Sequence, residues 1–273
     1  MRPAELDLEA YLSRIGYAGD RSPTVTTLNA LATAHPHSIA FENLDPFLGT
    51  PNQLELSALQ RKLVDEGRGG YCFEQNLLLS AALVALGFVV TPLAGRVLWG
   101  APEHAITRRS HMLLLVDVEG QRRIIDVGFG GMTLTGTLRL ELDTVQQTPL
   151  EPFRLVDLDG DYALQARIGE GWRTTYRFDL GRQYPIDYEA PNWYLSTWPQ
   201  SPFVTTLMAA RSTDDRRYGL SGRRLRVHHR GGPSEERELR SAAELRRCLE
   251  QDFLINTEHL PQLDAAFARL PGA

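Results

Sequence analysis

The spacing of apolar residues changes near Phe88, and no other feature of the chain limits its fold as much. Before that point apolar residues recur every three or four positions, as on a helix. After it they recur every second position, as on a strand. Helices gathered at one end and strands after them predict an α+β protein with an antiparallel sheet rather than alternating βαβ units. Leu8, Tyr11, Leu12 and Ile15 predict a first helix stopped by Gly16. Ser22-Pro23 reads as N-cap and first turn of a second helix carrying Leu28 and Leu31. Ser57-Ala58-Leu59-Gln60 reads as a capping box opening a third, ended by Gly67. A fourth starts near Tyr71 and reaches Leu86, with Gly87 as its C-cap. Beyond its first turn it is apolar nearly all round, so it is a buried helix.

The strand pattern predicts strands at 88–90, 96–99, 111–118, 121–127, 153–158, 162–168 and 172–178. Glu119-Gly120, Asp159-Gly160 and Gly169-Glu170-Gly171 supply turns between them, which suits an antiparallel barrel or sandwich. Past Asp187 the pattern is mixed. Residues 203–208 and 225–228 read as strands, and Ser241-x-x-Glu244 as a capping box opening a helix through Cys248 to Phe253. Thr257 is placed as the cap of a last helix. The 273 residues reach the size at which single cores stop growing, about 250–300 residues, so several closely packed units are expected.

With 29 Lys and Arg against 34 Asp and Glu, the net charge of -5 argues against a nucleic-acid binder. Lys62 is the only lysine. Two cysteines, Cys72 and Cys248, cannot form a secreted disulfide framework and point to a reducing compartment. The first residues lack an apolar signal core, and the longest apolar stretch, 77–90, is broken by Ser80 and Gly87. A cytoplasmic protein is expected, with no membrane span.

Cys72 falls at the start of the fourth helix, in Arg68-Gly69-Gly70-Tyr71-Cys72-Phe73-Glu74-Gln75-Asn76. A helix N-terminus favours thiolate over thiol, and only the thiolate is a competent nucleophile. Of seven histidines, His111 opens the strand 111–118, whose return strand holds Asp126. If Glu119-Gly120 is a two-residue loop, Val118 faces Gln121 and Leu113 pairs with Asp126. His111 and Asp126 are then diagonal neighbours on one face, about 7–8 Å apart at the backbone. A one-residue slip destroys that relation. These residues are equally compatible with bland roles: a packed cysteine, a surface histidine and a capping aspartate.

Arg68–Asn76 resembles the signature of the arylamine N-acetyltransferases. Ile39-Ala40-Phe41-Glu42-Asn43-Leu44-Asp45 is similar too, with Ala40 where that family usually has Pro. So are Tyr11–Tyr17, Asp126-Val127-Gly128-Phe129-Gly130 and Ser196–Phe203, in the family's order. The resemblance implies a Cys72–His111–Asp126 triad and transfer of acetyl from acetyl-CoA to an arylamine or arylhydrazine through an acetyl-cysteine. Acetyl-CoA is then a co-substrate and no cofactor is tightly bound. Phe129 resembles the family's acceptor-pocket phenylalanine, with Phe41 and Phe203 as candidates for the same wall; core packing is the alternative for each. Gly128 and Gly130 would let backbone approach CoA, and Arg108 would meet a CoA phosphate. The implied architecture is a helical bundle (1–90) with a cysteine-protease-like core, a β-barrel (91–190) and an α/β lid (191–273). An amide synthase of the same family forming a macrolactam, a Cys-His-Asp thiol hydrolase and a non-catalytic CoA binder remain alternatives.

No metal site is expected. Asp157-Leu158-Asp159-Gly160-Asp161 lacks the Gly and Glu of a calcium loop. His228 and His229 point to opposite faces of a strand. His35-Pro36-His37 lacks a nearby third ligand, and the run Arg223-Arg224-Leu225-Arg226 is too short for a nucleic-acid patch.

Overall fold

The computed structural model describes residues 6–270. Asp7 accepts a hydrogen bond from the Ala10 N–H (2.9 Å) and opens α1 (Leu8–Arg14). The second helix, α2 (Val25–Ser38), is capped by Thr24, not by Ser22. Thr24 Oγ1 accepts from Thr27 N–H, whereas the Ser22 hydroxyl is spent on Asp20. After β1 (Phe41–Glu42) and the single turn α3 (Leu44–Phe47) comes α4 (Leu56–Leu59). Its N-cap is Glu55, which places Ser57 inside the helix and leaves the expected capping box unmade. α4 runs directly into a π-helical turn, Gln60–Asp65, and Gly67 ends it at φ +66°. α5 (Cys72–Ala85) is the buried central helix, with Gly87 at φ +88° just past its end.

Seven strands follow: β2 (Val89–Val97), β3 (Arg109–Val118), β4 (Gln121–Ile125), β5 (Leu138–Arg139), β6 (Phe153–Leu158), β7 (Asp161–Ile168) and β8 (Gly171–Phe178). They form one antiparallel sheet in the order β5-β4-β3-β2-β8-β7-β6. The expected strands 88–90 and 96–99 are one strand, β2, that passes through Pro92. The proline is tolerated because β8 pairs with β2 only from Gly95 onward, so Pro92 lies at an edge on that side. Gln146 nearly closes the sheet into a barrel. Its backbone pairs with Phe153 (2.8 and 2.9 Å), and its side-chain amide bonds both the N–H (2.7 Å) and the C=O (2.9 Å) of Arg139.

β3 has no solvent face over most of its length. Leu113 and Leu115 point into the barrel with Leu93, Ile124, Leu155 and Tyr176. Met112, Leu114 and Val116 point the other way, into the core shared with α1, α2 and α5. Alternate residues of one strand thus join the helical layer to the barrel.

α6 (Pro185–Thr197) leads to α7 (Pro202–Thr205), where 203–208 was expected to be a strand. Ser201 caps that turn by accepting from Phe203 N–H, and Pro202 occupies its first position. The strand starts later, as β9 (Met208–Ser212), followed by β10 (Arg216–Ser221), β11 (Arg224–His229) and β12 (Ser234–Glu238). β1 completes this second sheet, with Phe41 opposite Ala210. The sheet packs on α8 (Ala242–Gln251) and α9 (Leu263–Ala268). Ser241 caps α8 by accepting from Glu244 N–H, but the Glu244 carboxylate returns to Arg240 N–H and not to Ser241 N–H, so only half of the expected box forms; Thr257 does not cap α9, whose N-cap is Gln262, and its hydroxyl bonds Glu250. No helix among the described residues is long and apolar enough to cross a membrane.

Candidate active site

The Arg68–Asn76 segment folds as it does because of charges buried beneath it. Arg68 is 7% exposed and bridges Glu42 and Asp45, at 2.8 Å to each. Gly69 has no room for a side chain: a Cβ there would lie 2.2 Å from the Ala40 carbonyl oxygen and 2.8 Å from Glu42 Cγ. A Cβ on Gly70 would lie 2.9 Å from Glu74 Oε2. The paired glycines therefore clear space for the two acids. Glu74 Oε2 accepts from Tyr71 N–H (3.0 Å), which caps the helix at its start. Gln75 donates to the carbonyls of Ile39, Ala40 and Gly70, and its Oε1 faces His35 Nε2 at 2.6 Å. That acceptor fixes the proton on His35 Nε2, so Tyr11 donates to His35 Nδ1 (2.9 Å). These bonds hold the turn that presents Cys72 at the first position of α5.

Cys72 is 4% exposed and its thiol points at the Ser110 carbonyl, 3.6 Å away. His111 stands one residue further along β3 and is 2% exposed. Its Nε2 bonds Asp126 Oδ2 at 2.7 Å. The hairpin register is the one expected: Val118 faces Gln121 and Leu114 faces Ile125, so Asp126 sits just past the ladder's end, diagonal to His111. With Nε2–H held by Asp126, Nδ1 is the ring atom left to act as base. Burial works to lower the pKa of His111. The charge and hydrogen bond of Asp126, followed by the interaction with Cys72, outweigh burial and raise it to about 10. Burial likewise resists ionisation of Asp126. His111, the Asn76 amide and the Gly128 N–H together keep its carboxyl below the ordinary range.

Asn76, one turn after Cys72, bonds the Met112 carbonyl (2.8 Å) and Asp126 Oδ1 (3.0 Å), and its Oδ1 accepts from Val127 N–H. It ties the nucleophile's helix to the strand of the base and to the acid. Its position at i+4 from Cys72 was the only sequence signal for this. Tyr176 had no such signal. Its ring lies 4.7 Å from that of His111, and its buried hydroxyl lies by Asp126 without a well-formed hydrogen bond. Burial, and then the Asp126 charge, hold its phenol well above the ordinary range.

The aromatic candidates form two walls. Phe129 meets His111 edge-on at 5.2 Å. Phe203 lies 6.3 Å from Phe41 and 5.4 Å from Tyr71. Gly130, at φ +83°, joins the walls, since a Cβ there would meet the Phe41 ring at 3.3 Å. Gly128 packs on the nucleophile: a Cβ would lie 2.8 Å from Cys72 Cα and 2.9 Å from its carbonyl oxygen. A third atom, Asn76 Nδ2, would lie at 2.8 Å, and the two Cys72 atoms are backbone that cannot swing aside. Gly128→Ala is therefore expected to cost about 1–3 kcal/mol, read by urea unfolding, and to displace Cys72. Unchanged stability would contradict this packing. Arg108 lies over the Tyr194 ring at 4.6 Å, and Arg109 pairs with Asp179. No cluster able to hold a metal occurs among the described residues.

Comparison with known proteins shows the family of the chain. Residues 24–261 match a family model described as N-acetyltransferase. The arylamine N-acetyltransferase of Mycolicibacterium smegmatis is 45% identical over 95% of each chain. The Mycobacterium marinum enzyme, solved in complex with CoA, superposes with a TM-score of 0.94 at 44% identity, covering 97% of this chain and 100% of that one. The Salmonella typhimurium enzyme does so at 0.91 and 38% identity, covering 97% and 99%. The chain belongs to the arylamine N-acetyltransferase family of acyltransferases.

Proposed function

We propose that the protein transfers acetyl from acetyl-CoA to arylamines and arylhydrazines in two half-reactions through Cys72. The observation that carries this reading is Cys72 beside His111, which is bonded to Asp126, with the Phe129 ring against His111 and the Phe203 ring against Phe41 and Tyr71. His111 takes the thiol proton, and Asp126 holds the resulting imidazolium in its tautomer. The sulfur anion attacks the acetyl-CoA carbonyl. The bond to Cys72 forms, the bond to the CoA sulfur breaks, and CoA leaves with the proton from His111. An aromatic amine, neutral at physiological pH, then attacks the acetyl-cysteine. Its proton passes to His111 and Cys72 is released. Backbone N–H groups at the start of α5 are suited to the oxyanion of both steps.

In this reading Phe129, Phe41 and Phe203 receive the aromatic acceptor, and Gly128, Gly130 and Arg108 line the CoA side. The barrel carries the base and acid, the preceding helices carry the nucleophile as in cysteine proteases, and residues 191–273 act as a lid. The reaction takes place in a reducing cytoplasm, where the Cys72 thiol survives.

Acetyl-CoA alone is expected to add about 42 Da, one acetyl group, to wild type and nothing to Cys72→Ala, read by intact mass. Adding an arylamine should discharge the adduct. Discharge no faster than in water alone would replace the transferase reading with a hydrolase, and the absence of any adduct would reject covalent catalysis.

A further inference from the structure

Lys62 is the one lysine among 29 Lys and Arg residues. Arginine serves every other basic position, including the buried Arg68, Arg177 and Arg217. The exception is not on the surface: the Lys62 side chain is 12% exposed, inside the π-helical turn Gln60–Asp65. Such turns are uncommon and often mark functional sites. The Lys62 ammonium lies 2.7 Å from Asp45 and 2.7 Å from Glu74. This compact ammonium thus bridges two carboxylates that approach from different elements.

Lys62 completes a row of alternating charge, Glu42–Arg68–Asp45–Lys62–Glu74. Each end of the row caps a backbone N–H. Glu42 accepts from Leu44 at the start of α3, and Glu74 accepts from Tyr71 at the start of α5. Tyr71 immediately precedes Cys72. We propose that Lys62 is a positioning residue for Cys72, acting through Glu74 by keeping that carboxylate charged and aimed at the Tyr71 N–H. This rests on Cys72 being the acetylated residue.

The groups that face Glu74 explain why an ammonium is needed. Burial disfavours its charge, Lys62 opposes that, and Asp45 and Glu42 add to the burial effect; the balance lifts Glu74 to about 7. For Lys62, burial works against the charge, but Glu74, Glu42 and Asp45 together hold it above its ordinary range. Three carboxylates share two cations: Asp45 touches both, whereas Glu74 has Lys62 alone. Removing Lys62 takes away that one cation, so Glu74 holds its proton to higher pH. Its carboxyl then carries a proton of its own and no longer caps the turn as an anion.

The test measures acetyl loading of Cys72 in single turnovers between pH 6 and 9, beside thermal unfolding. Lys62→Met is expected to load about 10- to 100-fold more slowly at pH 7, the penalty for a slightly misplaced reacting group. It should regain rate as the pH rises and Glu74 ionises. Lys62→Met/Glu74→Gln keeps a carbonyl for the Tyr71 N–H but can never carry the charge, so it should load as slowly as Lys62→Met at pH 7 and gain nothing as the pH rises. Folded Lys62→Met loading like wild type at every pH would overturn the proposal. So would a folded double variant that loads near the wild-type rate, or whose rate climbs with pH as the single variant's does. If Lys62→Met does not fold, the double variant decides alone. Failure of wild type to load at all would reject the acetyl-cysteine reading instead.

Discussion

Asp126→Asn is expected to slow acetylation of Cys72 by about three to four orders of magnitude while the protein remains folded. Asparagine occupies nearly the same volume and still offers an oxygen. Asp126 has two tasks, however. Oδ2 takes the His111 Nε2–H at 2.7 Å, and Oδ1 takes the Asn76 amide and the Gly128 N–H. The amide oxygen of asparagine can satisfy only one of these positions and places an NH2 at the other. If the NH2 faces His111, the ring must turn Nε2 into an acceptor, and the proton moves to the nitrogen that faces Cys72. If the NH2 faces Asn76 and Gly128, donors oppose donors. Either way the charge that stabilises the imidazolium is gone, and loss of that charge in a Ser-His-Asp site lowers turnover by about 10^4.

The same substitution carries a pH signature. His111 is raised from 6.5 to about 10, so its pairing adds stability that is fully present below about pH 6.5 and lost as pH rises through about 10. Wild type should lose melting temperature across that window, and Asp126→Asn should lose much less of it. Alkylation of Cys72 by iodoacetamide should stay fast below about pH 7 in wild type, where the imidazolium persists. Equal alkylation rates in the two proteins at pH 6 would show that Asp126 does not hold the ion pair.

The relation between His111 and Asp126 was readable from sequence because a turn determines it. Glu119 and Gly120 both take positive φ, +50° and +71°, as a two-residue hairpin loop requires. Once that loop is recognised the register follows, and the register places acid beside base. The approach of Cys72 to His111 has no local code. It depends on α5 crossing the end of β3, and the bonds that set the crossing run from Asn76 to Met112 and Asp126. The glycines show the same limit. Gly69, Gly70 and Gly128 are needed because of atoms distant in the chain or across a turn, so their purpose is visible only in three dimensions.

Local and tertiary signals disagree at several elements. Phe203-Val204-Thr205-Thr206 is rich in β-branched residues and reads as a strand, but Ser201-Pro202 starts a single helical turn there. α6 has a weak sequence signal because Pro191 lies inside it and because Ile186 and Trp193 are 65% and 63% exposed, which blurs its apolar stripe. Ser22 and Ser57 carry the right chemistry for caps. They lost to neighbours, Thr24 and Glu55, whose backbones are extended at the helix start. Capping motifs in sequence therefore locate a helix end only to within a few residues.

Arg68→Met is expected to destabilise the fold by about 3–5 kcal/mol, a large share of the roughly 5–15 kcal/mol that holds a typical domain together. The effect comes from what is left behind. Arg68 serves two acids of unequal exposure. Asp45 is 21% exposed and keeps Lys62 at 2.7 Å, so it retains a cation and some water. Glu42 is 0% exposed and has no second cation at contact distance; its remaining bond is to the Leu44 N–H at 2.6 Å. Methionine fills the space of the arginine stem but leaves this carboxylate buried and unpaired. If the charge is the cause, neutralising it should restore the loss. Arg68→Met/Glu42→Gln keeps a carbonyl for Leu44 and removes the orphaned charge, so it should recover most of the stability, read as the urea midpoint at constant slope. If lost packing of the arginine were the cause, the second substitution would restore nothing. Arg68→Lys separates charge from geometry: an ammonium has a single nitrogen, whereas Arg68 gives Nε to Glu42 and Nη2 to Asp45. It should fall between wild type and Arg68→Met, and equality with wild type would show that a single positive charge, however placed, is enough.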